Sequence, residues 1–334
     1  MAEKALVSVI IPCFNYAHLI GDTINSIKKQ THENWECIII DDGSTDHTKD
    51  IIQELANDDA RIKYVYQKNS GPTVARNLGI SLSKGNFIQF LDSDDLLEPL
   101  KLERQLSIFS DKPYADIVYG NTVYFRHTDE NDLYSNLELT STGDKSLGIS
   151  GEGQDLIKEF LKKNLMVISS PLIKKELFTQ FGKMDEKLFF NEDWELWLRF
   201  AVNNANFLFD DSKQAGVKIR VHQSYSKDNF KMFVNGLYVC LKYNSILTQP
   251  VYQKILQPKI NYHTKTIDSK IISSLKHDVN KAKEMIEYSI KLTSLPRYHF
   301  YRKIFGRLPF FLISWISFSI AAFVKLKSLL KNGA

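Results

Sequence analysis

Three carboxylates crowd the end of one apolar run. Residues 86–99 read NFIQFLDSDDLLEP, so the mostly apolar stretch 87–91 gives way at once to Asp92, Asp94 and Asp95. Two aspartates in D-x-D spacing at a strand end can share one hard cation. Mg²⁺ or Mn²⁺ prefers carboxylate oxygens, keeps several waters and completes its shell with substrate phosphates. Such a cation would neutralise charge on a departing diphosphate, which is Lewis-acid assistance to leaving-group loss. A D-x-D pair alone is a sparse signal, because Asp also favours turns and caps. Asp95 is accordingly read as a cap for the helix expected to open near Pro99. The setting adds weight: Asn15 follows one apolar run, and Asp41 and Asp42 follow another.

The elements that must position these residues can be read from periodicity. Runs rich in β-branched residues occur at 7–12, 36–42, 62–67, 86–92 and 116–121. Between them, apolar residues recur at helical spacing, as in Leu19, Ile20, Ile24 and Ile27, or Leu102, Leu106 and Phe109. Strands alternating with helices, and apolar throughout, argue for an α/β protein whose largely parallel sheet is covered on both faces. Asp46 is placed to cap one helix, and Gly71-Pro72 to open another with proline in the first turn. In open α/β sheets the ligand crevice lies at the carboxyl ends of the strands, where these polar residues gather.

Further on, residues 126–150 are polar and read as a surface excursion or flexible loop. A helix follows near 153–163. In 189–204, Trp194, Trp197, Leu198 and Ala201 share one helical face, and 217–221 reads as a returning strand. Beyond about 228 the pattern is helical, with Leu237, Leu241, Tyr243 and Leu247, then Ile267, Ile271 and Leu275.

Five segments in order, VSVIIPCFN, IIIDDGSTD, GPTVARNLGI, GNFIQFLDSDD and NEDWELWLRF, resemble family 2 glycosyltransferases of the GT-A fold over residues 6–225. The resemblance implies a Rossmann-like, mostly parallel sheet with helices on both faces in 1–225. A helical extension over 226–296 and a basic, apolar tail over 297–334 would follow it. The implied enzyme is an inverting, metal-dependent glycosyltransferase of hexosyltransferase type. Its donor would be a nucleotide-diphosphate sugar, a UDP-sugar, and its acceptor a glycan or lipid-linked hydroxyl in surface polysaccharide biosynthesis. Position by position, Pro12, Phe14 and Asn15 match the stretch that packs on the base, and Asp42 the aspartate that accepts from uracil. Arg76 matches a basic residue near the nucleotide. Asp92 matches the ribose contact, Asp94 the ligand of Mn²⁺ or Mg²⁺, Asp193 the catalytic base and His222 a later metal or diphosphate ligand.

The base assignment has its own chemical logic. A sugar hydroxyl is a poor nucleophile near neutral pH, and a carboxylate within reach can take its proton as it attacks the anomeric carbon. Asp193 opens a helix, whose positive end is expected to keep it ionised. Glu192 beside it is an acceptor contact, an alternative base or simply a helix-start charge.

Composition bounds the rest. The chain has 334 residues, 43% hydrophobic, with a net charge of +4, so nothing in the total marks it as a polyanion or nucleic-acid binder. Cys13, Cys37 and Cys240 lie far apart in no ligand spacing, which predicts free thiols in a reducing compartment, with Cys13 and Cys37 as small core residues. The N-terminus has no signal-peptide pattern, so a cytoplasmic start is expected. No Asp or Glu follows Glu287, and an apolar run over 308–324 is flanked by Lys and Arg on both sides. That pattern suits a helix lying at an anionic membrane surface, placing the protein at the inner face of the cell membrane. The alternatives are a helix packed on the protein or in a homo-oligomer, and a short span. A nucleotidyltransferase would need a basic, glycine-rich loop after the first strand, and PCFNYAHLIGD supplies none. A non-catalytic sugar-nucleotide scaffold remains a competing reading. A processive synthase does not, because Q-x-x-R-W is missing.

Overall fold

A computed structural model describes residues 5–126, 129–135, 148–212, 215–221 and 229–305. His222, the apolar run 308–324 and much of the polar stretch 126–150 lie outside them. The chain divides into two units, Met1–Tyr225 and Ser226–Ala334.

The first unit is built on a seven-stranded sheet. Its strands, in chain order, are β1 (Val7–Cys13), β2 (Trp35–Asp41), β3 (Ile62–Tyr66), β4 (Phe87–Phe90), β6 (Ile117–Gly120), β9 (Leu172–Lys174) and β10 (Phe207–Asp210), arranged in the order β10-β6-β9-β4-β1-β2-β3. The sheet is parallel except at β9, which runs antiparallel to both β4 and β6. Seven consecutive residues of β1 and of β2 are buried, as expected of strands covered on both faces.

Alternate residues of β1 and β2 serve opposite layers. Val7, Val9, Ile11, Cys37 and Ile39 join α1 (Ile20–Lys28), α2 (Thr48–Asn57) and α4 (Lys101–Asp111) in one core. Ile38 and Ile40 face the other way, against Ala75 and Leu78 of α3 (Pro72–Leu82). That helix lies so close that a Cβ at Gly79 would meet Ile10 Cγ2 at 2.3 Å. Gly71 precedes it with φ +94°, a conformation glycine adopts without strain, and Pro72 takes the first helical position. The thiols of Cys13, Cys37 and Cys240 are free and buried, and burial pushes all three pKa values up.

A second, four-stranded sheet went unread in the sequence. It comprises β5 (Leu96–Leu97), β7 (Thr122–Arg126), β8 (Asp129–Tyr134) and β11 (Val217–Val221), ordered β5-β11-β7-β8. Part of the stretch expected as a loop is therefore a hairpin, with Tyr124 opposite Tyr134. Its polar composition misled because the strand β8 lies mostly exposed. The first unit also holds α5 (Gly153–Lys162), α6 (Glu176–Phe181) and α7 (Glu192–Val202).

The second unit is helical: α8 (Asn229–Ile246), α9 (Pro250–His277), α10 (Val279–Thr293) and α11 (Pro296–Phe305). Leu237, Ile267, Ile271 and Leu275, whose spacing signalled helices, belong to its core, together with Val234 and Ile286. A Cβ at Gly236 would come within 2.7 Å of the His263 ring, so α8 and α9 are closely packed there. Burial, with Lys259 nearby, depresses the His263 pKa to about 4 and keeps the imidazole neutral at pH 7. Among the described residues no helix is long and apolar enough to cross a membrane.

Candidate active site

The loops that follow β1 and β2 are tied together at the carboxyl edge of the sheet. Asn15 sits in the left-handed region at φ 59°. Its N–H donates to Ser44 Oγ at 2.9 Å, and its Oδ1 accepts from the Thr45 N–H at 2.8 Å. Pro12 is buried below this junction, while Phe14 stands 43% exposed beside it. Asp46 accepts from the N–H and hydroxyl of Thr48 and from the Ala17 N–H, so it serves the start of α2 from one position outside the cap.

Asp42 is buried and organises the next loop. Its Oδ1 accepts from Gln67 Nε2 at 2.7 Å and the Ser70 N–H at 2.8 Å, and its Oδ2 from the Gly71 N–H at 2.8 Å. Asp41 is equally committed, to the Ser44 N–H and the Tyr64 hydroxyl.

Arg76 lies in the second turn of α3 and is 4% exposed. Its guanidinium donates to Asp92 Oδ1 at 2.6 Å and to Glu192 Oε1 at 2.8 Å. The end of β4 and the start of α7, a hundred residues apart in sequence, are thereby joined through one side chain. Thr73 and Asn77 extend the same grip. Thr73 Oγ1 donates to the Leu188 carbonyl at 2.7 Å, and Asn77 exchanges two hydrogen bonds with the Met184 backbone at 2.9 and 3.0 Å. Positions 73, 76 and 77 share one helical face, so α3 presents three polar side chains to the segment leading into α7. Sequence reasoning missed Thr73 and Asn77. The available signal was polar residues at i, i+3 and i+4 inside an otherwise apolar helix.

The acidic turn after β4 is held from two sides. Ser169 Oγ accepts from the Asp92 N–H at 3.3 Å and donates to Asp95 Oδ2 at 3.1 Å. The Arg220 N–H donates to Asp95 Oδ1 at 3.2 Å, and Arg220 Nε to the Asp94 carbonyl at 2.9 Å. Asp95 therefore locks the turn and caps no helix, since α4 begins only at Lys101 with Leu100 at its cap. Burial first, then the charges of Asp94 and Asp92, raise the Asp95 pKa well above the carboxylate range. Asp94 is half-buried in this negative surrounding.

At the start of α7, Asn191 takes the left-handed conformation at φ 58° and α7 opens on Glu192 and Asp193. Asp193 Oδ2 accepts from Asn164 Nδ2 at 2.8 Å, and Oδ1 from the Trp194 N–H at 2.7 Å. Its pKa is raised, not held down as the helix start suggests, because burial outweighs those donors and Arg76. Burial likewise lifts Glu192 to about 7, with Arg76 opposing and Asp193 reinforcing.

No group of three or more His, Cys, Asp and Glu among the described residues is arranged to hold a metal by itself. A hard cation that takes one or two carboxylates and fills its shell with water and phosphate oxygens needs no such cage. A half-buried Asp94, in a turn negative enough to push its neighbour's pKa up, is a donor suited to that cation.

Residues 8–172 match the family model described as Glycosyl transferase family 2. The chain is 31% identical over 249 residues to glycosyltransferase GlyG of Streptococcus pneumoniae, covering 71% of this chain and 81% of that protein. TuaG of Bacillus subtilis, named for teichuronic acid biosynthesis, is 46% identical over 113 residues, 34% of this chain and 45% of its own length. A Rickettsia bellii glycosyltransferase is 35% identical over 219 residues, 66% of this chain but 29% of that protein. The match to these last two thus spans less than half of either. The crystal structure of S. aureus TarS 1–349 with UDP-GlcNAc superposes with a TM-score of 0.61 at 18% identity, over 86% of this chain and 81% of that one. That likeness shows the fold, with its central sheet flanked by helices.

Proposed function

The chain belongs to glycosyltransferase family 2, and on that premise we propose that it transfers a sugar from a UDP-sugar to an acceptor hydroxyl with inversion. The observation that carries the reading is Arg76, whose two ion pairs unite the D-x-D turn and the N-E-D helix start in one site. Complexes of S. aureus TarS with UDP and with UDP-GlcNAc support the choice of donor.

In this reading Pro12, Phe14 and Asn15 border the base. Asp42 meets the uracil ring N–H through Oδ2, which has one donor from the protein and a lone pair to spare. Asp92 contacts the ribose. Asp193 takes the proton from the acceptor hydroxyl as its oxygen attacks the anomeric carbon. The bond from that carbon to the diphosphate oxygen breaks, the anomeric centre inverts, and UDP leaves. A carboxylate whose pKa is raised by burial is better matched to a proton near neutral pH than an ordinary one. A divalent cation, Mn²⁺ or Mg²⁺, held by Asp94 would supply Lewis-acid neutralisation of the diphosphate charge. The acceptor is a glycan or lipid-linked saccharide in surface polysaccharide biosynthesis, a class supported by the name of TuaG. The tail beyond 305 brings the protein to the inner membrane face, where such acceptors are extended.

A donor panel tests this. Nucleotide sugars are compared with and without Mn²⁺ or Mg²⁺ by thermal shift and by released nucleotide. UDP-sugars with metal should stabilise the protein and undergo slow hydrolysis. Stabilisation by a nucleoside triphosphate alone, with pyrophosphate release, would replace transfer with nucleotidyl chemistry.

A further inference from the structure

The net charge of +4 hides a separation along the chain. The first unit, to Tyr225, holds 25 Lys and Arg against 34 Asp and Glu, and the second, from Ser226, holds 18 against 5. The formal charges are −9 and +13. The helical fold does not demand this, since its core is aliphatic and aromatic. Charge of one sign at that density opposes a compact state through self-repulsion, and it favours contact with anions.

Among the described residues, several of the basic side chains are placed on solvent-facing surface. On α9, Lys254 and Lys265 are exposed and eleven residues apart, about three helical turns, so they lie on one face. Tyr262, 59% exposed, lies one turn before Lys265. The only acid of α9 is Asp268, one turn after Lys265, and it accepts from Arg297 at 3.0 Å. This pair brings the start of α11 against α9. On α11, Tyr298 is buried, Phe300 is 58% exposed, Lys303 is exposed, and Arg302, also exposed, pairs with Glu287 of α10 at 3.6 Å.

We propose that this basic, aromatic surface of α9 and α11 docks on an anionic lipid bilayer. Lys and Arg are drawn to acidic headgroups, and exposed Tyr and Phe insert at the same depth. The chain beyond Phe305 favours a lipid surface over a soluble acidic polymer. Those 29 residues contain no acid, and their apolar run over 308–324 lies between basic flanks. A bilayer uses both the charge and the apolar segment, whereas a polymer uses only the charge. Docking is thereby assigned to the folded helices as well as to the tail, and it depends on neither the donor nor the base.

The test floats the full-length chain with vesicles of phosphatidylcholine, alone or mixed with phosphatidylglycerol, at low and raised salt. Binding should require phosphatidylglycerol and weaken with salt. The triple variant Lys265→Gln, Arg302→Gln, Lys303→Gln should lower partitioning about a hundredfold, roughly fivefold per charge. A second variant, Lys325→Gln, Lys327→Gln, Lys331→Gln, should retain measurable binding. Unchanged thermal midpoints and unchanged donor hydrolysis in solution would show both variants folded. Hydrolysis without flotation would sink docking and leave transfer standing. Equal flotation on neutral vesicles, or native binding by the first variant, would overturn the proposal. So would retention on polyphosphate without flotation, which would give the surface to an acidic polymer.

Discussion

The turn after β4 and the start of α7 are made from the same residue types, yet the protein holds them differently. At the turn the grip is on the main chain and on Asp95, from Ser169 and Arg220, and on Asp92 from Arg76. The Asp92 side chain is left 36% exposed. At α7 the grip is on the side chains: Glu192 is 13% exposed and bound to Arg76, and Asp193 is bound to Asn164. A carboxylate left near water suits a cation. A carboxylate drawn inward has its pKa raised and suits proton transfer. Arg76 spans both segments, so neither can move without the other.

The sharpest way to break this contrast is to neutralise one acid of each segment. Asp193→Asn keeps the acceptor for Asn164 and removes the base. Transfer should fall by about 10²–10⁴, with UDP-induced thermal stabilisation intact. Native-rate transfer by this variant would end the base assignment. Asp94→Ala should behave in the opposite sense. Metal-dependent stabilisation by UDP should vanish, and turnover should drop by about 10²–10³. If both variants lost UDP binding equally, the two segments would not have separate roles.

The parallel layers were legible in the sequence because strands buried on both faces leave uninterrupted apolar runs, and β1 and β2 fall where those runs lie. The shortest strands were not. β9 has three residues and β5 two, too short for any period to register, and each is held by pairing with strands distant in sequence. The polar ends of β1, β2 and β4 were readable as a group, since helices that alternate with parallel strands bring every carboxyl end to one edge. What could not be read is which polar groups serve the scaffold. Asp95 looked like a cap and is a buried lock for the turn. Arg76, expected near the nucleotide, is also paired with two carboxylates. Both depend on a partner more than a hundred residues away, Arg220 in one case and Glu192 in the other.

A smaller effect probes the bridge itself. Arg76→Met removes a buried cation and leaves Glu192 with no opposing charge in the site. Breaking such a pair by deleting one partner should cost about 3 kcal/mol of stability, read as a lower denaturant midpoint. The loss should exceed that for Arg126→Met, whose partner Asp132 is exposed at the surface. If the two variants were equally stable, Arg76 would not be the tie between the segments.

The mildest prediction concerns pH. Glu192 has its pKa raised from 4.5 to about 7 by burial. The folded state therefore binds more protons than the unfolded state between those values. The contribution to stability is fully present below about pH 4.5 and is lost as pH rises through about 7. Glu192→Gln imitates the protonated form, so it should flatten that part of the stability profile, and the profiles of variant and parent should diverge most above pH 7. Asp92→Asn gives the comparison for the exposed segment. Its carboxylate is partly exposed, and removing it takes one like charge from near Glu192, so the Glu192-dependent slope should shrink without disappearing. A slope that survives in Glu192→Gln and disappears in Asp92→Asn would take the proton uptake away from Glu192.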